Sequence, residues 1–406
     1  MNSPSHGKAP RLPSVVALLV VSHLVVDACT AFLPPLLPRI MDRLDLSIAL
    51  ASTLAGGLSL ATSLPQPFFG YLVDRWGRRA CLAAGPVVAG VTLSLLGLAP
   101  SYAALLALLL VGGLGAACFH PPAASLAAGP AGQRRSGRAL SVFSFGGALG
   151  YAIGPVAAVG LVGWLGLKGL WVAMAPGLVL GVVLWRKIPD REPGAPQRRR
   201  PGLAEMIRAL RGPLGIVFAI SALAAFGQRA FLTFSPIISN ESGVTEVRGA
   251  FVLSAYLGAQ ALGTLTGGVL TDRLNRRLVL IVAGIAAFPA HVLAIVLEPA
   301  SGWTFVAATA AGFLNMVMTP PVVIMAQEML PRATAVGSAV VMGLAWATGT
   351  LGLPLVGLAA DQTGPVMASV LPMPAFLIAA ALASRRSLRP YARSGRGRSR
   401  VSSKIT

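Results

Sequence analysis

Apolar residues in this chain are grouped in long runs rather than in the narrow stripes of a soluble helix. Each run is about 20 residues long and almost free of charge. A helix of about 20 apolar residues crosses the hydrocarbon core of a bilayer, and it satisfies its own backbone groups in lipid. The pattern predicts an all-α membrane protein with twelve transmembrane helices. The predicted spans are 14–37, 47–72, 80–98, 103–127, 138–163, 168–186, 213–239, 248–271, 278–297, 302–328, 335–360 and 366–383.

A charged connection after the second predicted span returns after the eighth. The residues of the first copy that we single out are Gly70, Asp74, Arg75, Gly77, Arg78 and Arg79. Those of the second copy, 198 residues later, are Gly268, Asp272, Arg273, Arg276 and Arg277. Other pairs share this offset: Pro122 and Pro320, Arg134 and Arg332, Gly154 and Gly352. Because the offset is about half of the 406-residue chain, it indicates two structural repeats.

The repeat predicts two six-helix bundles joined by a polar segment. We expect an N-terminal bundle over residues 1–186 and a C-terminal bundle over 213–383. A basic, proline-rich linker at 187–212 would join them in the cytoplasm. Residues 384–406 form a basic tail that we expect to be disordered and cytoplasmic.

Composition supports a membrane protein, and charge placement gives its orientation. Hydrophobic residues make up 55% of the chain and charged residues only 11%, with a mean hydropathy of +0.74. The net charge of +20 is concentrated in the linker, the tail and the loops on one side. The predicted outside loops hold only four cations, which are Arg39, Arg43, Lys168 and Arg248. By the positive-inside rule, we expect both termini to be cytoplasmic and the basic tails to contact lipid headgroups rather than a nucleic acid.

Five polar residues stand out inside the predicted spans. His23 and Asp27 are four residues apart and therefore share one helix face. Gln228 and Arg229 lie in the seventh span, and His120 lies near the end of the fourth. Ionisable groups at membrane depth are costly, so we take them as candidates for proton coupling or for the substrate cavity. The alternative is that they are hydrogen-bonded groups that only hold helices together. By depth, we expect Asp27 to be the partner of Arg229.

Two spans carry backbone features that bear on movement. Pro121 and Pro122 follow His120, and we expect them to break the fourth span there. The fifth span carries glycines at intervals of four residues, followed by a proline. These residues are Gly146, Gly150, Gly154 and Pro155. Such a face allows close packing of helices, and we expect it also to slide or bend between two states.

The chain carries no motif of a catalytic or nucleotide-binding site. The chain has no phosphate-binding glycine loop with Lys-Ser or Lys-Thr and no nucleophile elbow. Cys29, Cys81 and Cys118 lie in or beside spans, in an arrangement typical of neither a disulfide framework nor a metal site. We therefore expect no enzymatic activity, no cofactor, no metal and no obligate protein partner.

The repeated Gly-x-Leu-x-Asp-Arg-x-x-Arg-Arg loops resemble the signature loop of the major facilitator superfamily, with Asn275 in the second copy where the first has Gly77. Gly150-x-x-x-Gly154-Pro155 is similar to the antiporter motif on that family's fifth helix. Within the superfamily, the chain resembles fosmidomycin-resistance efflux proteins. That likeness rests on His23-x-x-x-Asp27, Phe119-His120-Pro121 and the segment from Ala326 to Pro331.

The resemblance implies the major facilitator fold and a secondary transporter that works by alternating access. It implies that Asp74 holds the start of the eleventh span, near Thr334, when the inside is closed. We expect proton-coupled efflux of a small drug-like or metabolite molecule across a bacterial plasma membrane. The alternatives are a proton-coupled importer and, with less support, a membrane-embedded enzyme that acts on lipid-linked substrates. The expected partners are the substrate, protons and the lipid bilayer.

Overall fold

The computed structural model describes residues 12–128, 136–189, 210–331 and 334–392. Within these ranges every regular element is helical. The first six spans are: span 1, Leu12–Thr30 and Leu33–Leu44; span 2, Ile48–Ser63 and Gln66–Trp76; span 3, Arg78–Ser94 with the 3-10 turn Leu95–Leu98; span 4, Tyr102–Ala128; span 5, Ser136–Leu165; and span 6, the 3-10 turn Leu167–Ala173 with Met174–Lys187. We call these six spans the N-terminal half.

The C-terminal half has the same number of spans. They are: span 7, Pro213–Glu241; span 8, Glu246–Arg273; span 9, Arg276–Val296; span 10, Gly302–Val317 and Thr319–Met329; span 11, Thr334–Ala339, the π-helical turn Val340–Leu344, Ala345–Thr350 and Leu353–Thr363; and span 12, Pro365–Val370 and Ala375–Ala383. Eleven of the twelve are long and apolar enough to cross a membrane. Span 8 is the exception because its 28 residues include polar groups such as Gln260 and charges at both ends.

Many large apolar side chains lie on the surface of the helical bundle. Leu355 is 70% exposed, Leu371 is 62% exposed and Leu262 is 61% exposed. In a bilayer such side chains face lipid tails, whereas in water they would form aggregation-prone patches. The prediction of an all-α membrane protein is confirmed. Below, "outer" denotes the side that carries Arg39 and Lys168, which the cation distribution predicts to face outside.

Span 4 lacks the helix break that the sequence predicted. Helix Tyr102–Ala128 continues through Pro121 and Pro122, so the predicted break at that point is wrong. A proline removes one backbone N–H and weakens the helical ladder, but the chain can keep helical angles after it. The outer part of span 1 does separate from the inner part, with a turn at Ala31 and Phe32.

The two copies of the repeated loop use different turns. Gly77 adopts φ +90°, a left-handed conformation that strongly favours glycine. Asn275, at the matching position, has φ −69°, and its side chain accepts hydrogen bonds from the backbone N–H groups of Arg277 and Leu278. The second copy therefore replaces a glycine turn by an asparagine cap on span 9.

The second loop copy also holds the segment that follows span 12. Arg277 donates hydrogen bonds to the carbonyls of Ala383 and Ser384, and Arg276 donates to the carbonyl of Tyr391 at 3.2 Å. This segment forms a 3-10 helix, Arg386–Tyr391. The prediction that disorder begins at residue 384 is therefore wrong up to residue 392. The rest of the predicted tail, from residue 393, and most of the predicted linker, 190–209, lie outside the described residues.

Two polar contacts join the halves at the outer side. The Asp361 carboxylate of span 11 accepts hydrogen bonds from the N–H groups of Ile48 at 2.7 Å and Ala49 at 3.1 Å, at the start of span 2. We call this contact the outer latch. Arg39 of span 1 also forms an ion pair with Glu246 of span 8. Both contacts hold the outer ends of the halves together.

A candidate proton and substrate site

Span 4 brings His120 to the pair predicted on span 1. His23 Nε2 lies 3.1 Å from Asp27 Oδ2, and His120 Nε2 lies 3.0 Å from Asp27 Oδ1. Asp27 is only 4% exposed, whereas the side chains of His23 and His120 are 12% and 21% exposed. We call these three residues the His–Asp cluster. A carboxylate shielded from water thus has an imidazole on each of its oxygens.

Span 5 determines which nitrogen of His23 carries hydrogen. His23 Nδ1 lies 2.9 Å from the carbonyl oxygen of Phe143. A carbonyl oxygen only accepts, so Nδ1 must carry the hydrogen. In neutral His23, Nε2 would then carry a lone pair and no hydrogen. It would face an oxygen of Asp27, which also offers only lone pairs when Asp27 is ionised. The 3.1 Å contact therefore requires one proton between His23 and Asp27, on either partner.

The same cluster has the donor types of a transition-metal site. One ligand atom from each residue lies within 4.8 Å of the others. Proton sharing already accounts for both short His–Asp contacts, because each Asp27 oxygen faces one imidazole nitrogen. The geometry is that of a hydrogen-bonded, protonatable group.

The glycine face of span 5 packs against the backbone of span 1. A Cβ atom at Gly146 would lie 2.7 Å from the Val20 carbonyl oxygen, one at Gly150 would lie 2.2 Å from that of Leu24, and one at Gly154 would lie 2.6 Å from that of Ala28. These positions therefore cannot accept even a methyl group without movement of the backbone. The sequence-predicted glycine face thus packs on the helix that carries His23 and Asp27.

A cavity lies between the halves, one turn beyond Asp27. The space between the surrounding atoms, including its open part, is about 570 Å³. Spans 1, 2 and 5 line it from one half and spans 7 and 8 from the other. Its polar lining residues are Thr30, Ser59, Thr62, Tyr151, Arg229 and Thr233. The buried Pro155 of the glycine-rich helix also lines it.

Arg229 lines this cavity, and no carboxylate of the described residues pairs with it. Its Nε atom is buried and has no hydrogen-bond partner among the described residues, and its guanidinium carbon lies 5.7 Å from the centre of the Trp346 ring. The expected pairing of Arg229 with Asp27 is not found among the described residues, because Asp27 is occupied by the two histidines. Depth along a helix gives the height of a residue and leaves its direction around the axis open.

Gln228 faces another way and does not join the cluster. Its Nε2 donates to Gln260 Oε1 at 3.3 Å, and it lines a smaller cavity with Asn315. His291 is fully buried, with Nδ1 donating to the Ala287 carbonyl at 2.8 Å and Nε2 accepting from the Tyr256 hydroxyl at 3.1 Å. Both nitrogens of His291 are therefore satisfied by structural hydrogen bonds.

The predicted gating loop is described only in part. The backbone from Gly70 to Arg79 is helical except at Gly77, but the side chains of Asp74 and Arg75 lie outside those that the structure describes. The guanidinium of Arg79 lies 4.3 Å from the centre of the Trp185 ring. In the second copy, Asp272 and Arg273 are exposed, and Arg276 is buried in an ion pair with Glu328 at 2.8 Å. A Cβ atom at Gly268 would meet nothing within 4 Å.

Sequence reasoning missed three groups that the structure brings to these contacts. A Cβ atom at Gly147 would lie 2.4 Å from His23 Nε2 and 2.6 Å from Asp27 Oδ2. The Phe143 ring stacks on His23 with the ring centres 4.2 Å apart. Asp361 makes the outer latch. Gly147 is adjacent in sequence to Gly146 of the predicted glycine face but lies outside its four-residue spacing, and an aspartate near a helix end is common and gave no signal.

Comparison with known proteins agrees with this architecture. The model of the Major Facilitator Superfamily matches residues 19–252 and 217–404. The chain is 27% identical over 361 residues to the fosmidomycin resistance protein of Escherichia coli (strain K12), which covers 86% of this chain and 87% of that protein. It is 27% identical over 274 residues to the multidrug resistance protein MdtG of Escherichia coli O9:H4 (strain HS), covering 64% and 66% of the two chains.

A solved structure has the same fold. It is that of a bacterial homologue of the human lysosomal transporter Spinster, in an inward-facing and unoccupied conformation. The TM-score is 0.77 at 18% identity, over 96% of this chain and 100% of that one. The prediction of the major facilitator fold is confirmed. The chain is a multi-pass, inner-membrane secondary transporter and belongs to the major facilitator superfamily.

Proposed function

We propose that this protein exports a small drug-like or metabolite molecule in exchange for protons. The single observation that carries the proposal is the contact between His23 and Asp27, which requires a shared proton. Export by antiport needs a buried group that gains and loses a proton as the protein changes its open side. The His–Asp cluster is such a group, since Asp27 is buried while both histidines are partly exposed.

The cavity next to the cluster supplies the substrate side of the exchange. Arg229 is a fixed cation there, with a buried Nε that lacks a partner among the described residues. An anionic substrate group would supply the missing acceptor, and Arg is suited to carboxylates and phosphonates because it presents several donors in one plane. Hydroxyl groups of Thr30, Ser59 and Thr233 would hydrogen-bond the remaining polar atoms.

Proximity would couple the two sites. Thr30, which lines the cavity, is three residues from Asp27 on the same span, and Tyr151 of span 5 lines the same cavity. A negatively charged substrate near an ionised Asp27 is disfavoured, so binding of substrate and loss of the proton would oppose each other. Charge repulsion alone would thus couple an anion to proton uptake, as in a symporter. Antiport needs competition instead, so in an exporter the substrate would engage Arg229 in the state in which the cluster has released its proton. The names of the two relatives, both resistance proteins, favour export.

Alternating access would use contacts at opposite ends of spans 2 and 11. At the outer side the latch from Asp361 joins them. At the inner side we propose that Asp74 binds the start of span 11, which begins at Thr334, when that side closes. We further propose that both termini and the linker 187–212 are cytoplasmic, between bundles at 1–186 and 213–383.

The test begins with a drug-susceptibility panel, which includes fosmidomycin and other phosphonate antibiotics, in an efflux-deficient host with and without the protein. Purified protein is then placed in vesicles with a compound that the panel identifies. Asp27→Asn should retain exchange of substrate without a gradient but lose uphill transport driven by pH. Asp42→Asn, which changes an exposed aspartate on the same span, is the matched control and should keep both activities.

Persistence of uphill transport at the wild-type rate in Asp27→Asn would reject this proton route. Substrate accumulation in the direction of proton flow, rather than against it, would instead identify an importer. An activity on lipid-linked substrates without net flux would favour the enzyme alternative.

A further inference from the structure

We infer that span 5 sets how tightly His23 and Asp27 hold their proton, through the Phe143 carbonyl and the missing side chain of Gly147. The inference rests on the proposed function only in assigning this proton a role in transport. Phe143 and Gly147 act as positioning residues, and their effect on the proton affinity of His23 can be measured without any substrate.

The Phe143 carbonyl fixes the hydrogen of His23 on Nδ1, at 2.9 Å. The Phe143 ring also stacks on the imidazole, with an angle of 20° between the ring planes. Both contacts hold the ring with Nε2 towards Asp27. Without the carbonyl bond, neutral His23 could move its hydrogen to Nε2 and donate it to an ionised Asp27. The pair would then remain hydrogen-bonded with one proton fewer. The carbonyl bond thus favours the proton-loaded pair.

Gly147 gives the pair the space that it occupies. A methyl group there would lie 2.4 Å from His23 Nε2 and Cε1 and 2.6 Å from Asp27 Oδ2. All three atoms are near the ends of side chains, so the imidazole and the carboxylate would move while the backbones stay in place. At Gly146, one residue earlier, the obstacle is a backbone atom, the carbonyl oxygen of Val20 at 2.7 Å. A side chain at position 147 would therefore displace the His23–Asp27 pair rather than the backbone of span 1.

Span 5 also connects the pair to the other half of the protein. It packs on span 1 through its glycine face, and on span 8 in the C-terminal half. A Cβ atom at Gly258 of span 8 would lie 3.8 Å from Ala152. When the halves rock, span 5 would shift along span 1 and lengthen the bond from His23 to the Phe143 carbonyl. The proton of the pair would then be released to water on the open side.

Other groups near Asp27 would stay in place in the test variants. They are His120 on span 4, Cys29 on span 1, Tyr151 on span 5 and Arg229 on span 7. Because Gly147→Ala adds no charge and removes none of these groups, a change in proton affinity would report the displaced His23–Asp27 contact.

The test uses nitrogen NMR of protein labelled with ¹⁵N-histidine in lipid nanodiscs, because the chain has only four histidines. The signal lost in His23→Gln assigns His23. In the wild type we expect His23 to carry hydrogen on Nδ1. In Gly147→Ala we expect its titration midpoint to move by at least about one pH unit, a tenfold change in proton affinity. Gly160→Ala, where a Cβ would meet nothing within 4 Å, is the matched control and should titrate as the wild type does.

His291 reports on folding in every sample, because its two structural hydrogen bonds lie in the C-terminal half. Wild-type His23 with its hydrogen on Nε2 alone would overturn the inference, whether or not any variant folds. An unchanged midpoint in folded Gly147→Ala would also overturn it. A shifted midpoint combined with wild-type pH-driven transport would support the positioning role and would count against the proposed proton route.

Discussion

Removal of the outer latch should open the outer side of the transporter. Asp361 accepts two hydrogen bonds from the first N–H groups of span 2, while Ser47 Oγ accepts from the N–H of Leu50. These three N–H groups have no acceptor within their own helix. Asp361→Ala would leave two of them to water, and only the state with a closed outer side would lose stability.

The size of the effect follows from the exposure of the contact. Asp361 is exposed, so water competes for the donors and the ordinary cost of losing a helix cap applies, without an added burial penalty. Loss of such a cap costs about 1 kcal/mol, within a range of about 0.5–2 kcal/mol. At about 1.4 kcal/mol for a factor of ten, the ratio of outer-open to outer-closed protein should rise about fivefold. The Arg39–Glu246 ion pair would remain and would keep the outer side from opening fully.

Thiol labelling measures this ratio. The three native cysteines, all buried, are replaced, and a single cysteine is placed at Thr233, which lines the cavity and is 3% exposed. An impermeant thiol reagent is then added outside intact cells. Its rate of reaction should rise about fivefold in Asp361→Ala. The rate should stay unchanged in Gln362→Ala, which alters an exposed neighbour. Equal labelling rates in Asp361→Ala and its parent would refute the latch.

Two further predictions concern orientation and the inner gate. Single cysteines at Ser3, Gln197 and Ser399, in the cysteine-free background, should resist an impermeant reagent added outside intact cells, and labelling of any of them would contradict the predicted topology. Asp74→Asn should keep expression but strongly lower transport, because it weakens the closed inner side by about 0.3–1 kcal/mol or more. Asp272→Asn should do less, because Asp272 is exposed and lies in the degenerate copy, where Asn275 replaces the glycine turn; near-normal transport in both variants would argue against the gate.

The sequence predicted what depends on spacing along one helix. The separation of His23 from Asp27 by four residues predicted one shared face, and their atoms lie 3.1 Å apart. It left open which distant residue completes the cluster. His120 is 93 residues from Asp27 and reaches it because span 4 packs beside span 1. Arg229 lies at a similar predicted depth but lines the cavity one turn beyond Asp27, on span 7 of the other half, and depth alone does not distinguish these positions.

The sequence predicted the membrane spans better than the turns and breaks within and between them. Asn275 was recognised as a departure from Gly77, but the sequence did not show that its side chain would cap span 9. Pro121 and Pro122 were expected to end a helix that in fact continues to Ala128. At Asn275 the turn is settled by a local side-chain cap, whereas span 4 keeps its helical angles although the prolines lack backbone donors.

The docked segment after span 12 limits where the polypeptide can be shortened or fused to a reporter. Arg276 is only 3% exposed, and its guanidinium depends on Glu328 and on the carbonyl of Tyr391. A deletion that begins before Tyr391 would leave part of a buried cation unsatisfied, which is costly. A fluorescent protein or affinity tag attached after Ala392 would spare these bonds. Expression trials that vary the fusion point should therefore show their sharpest loss of yield when residues 386–392 are removed.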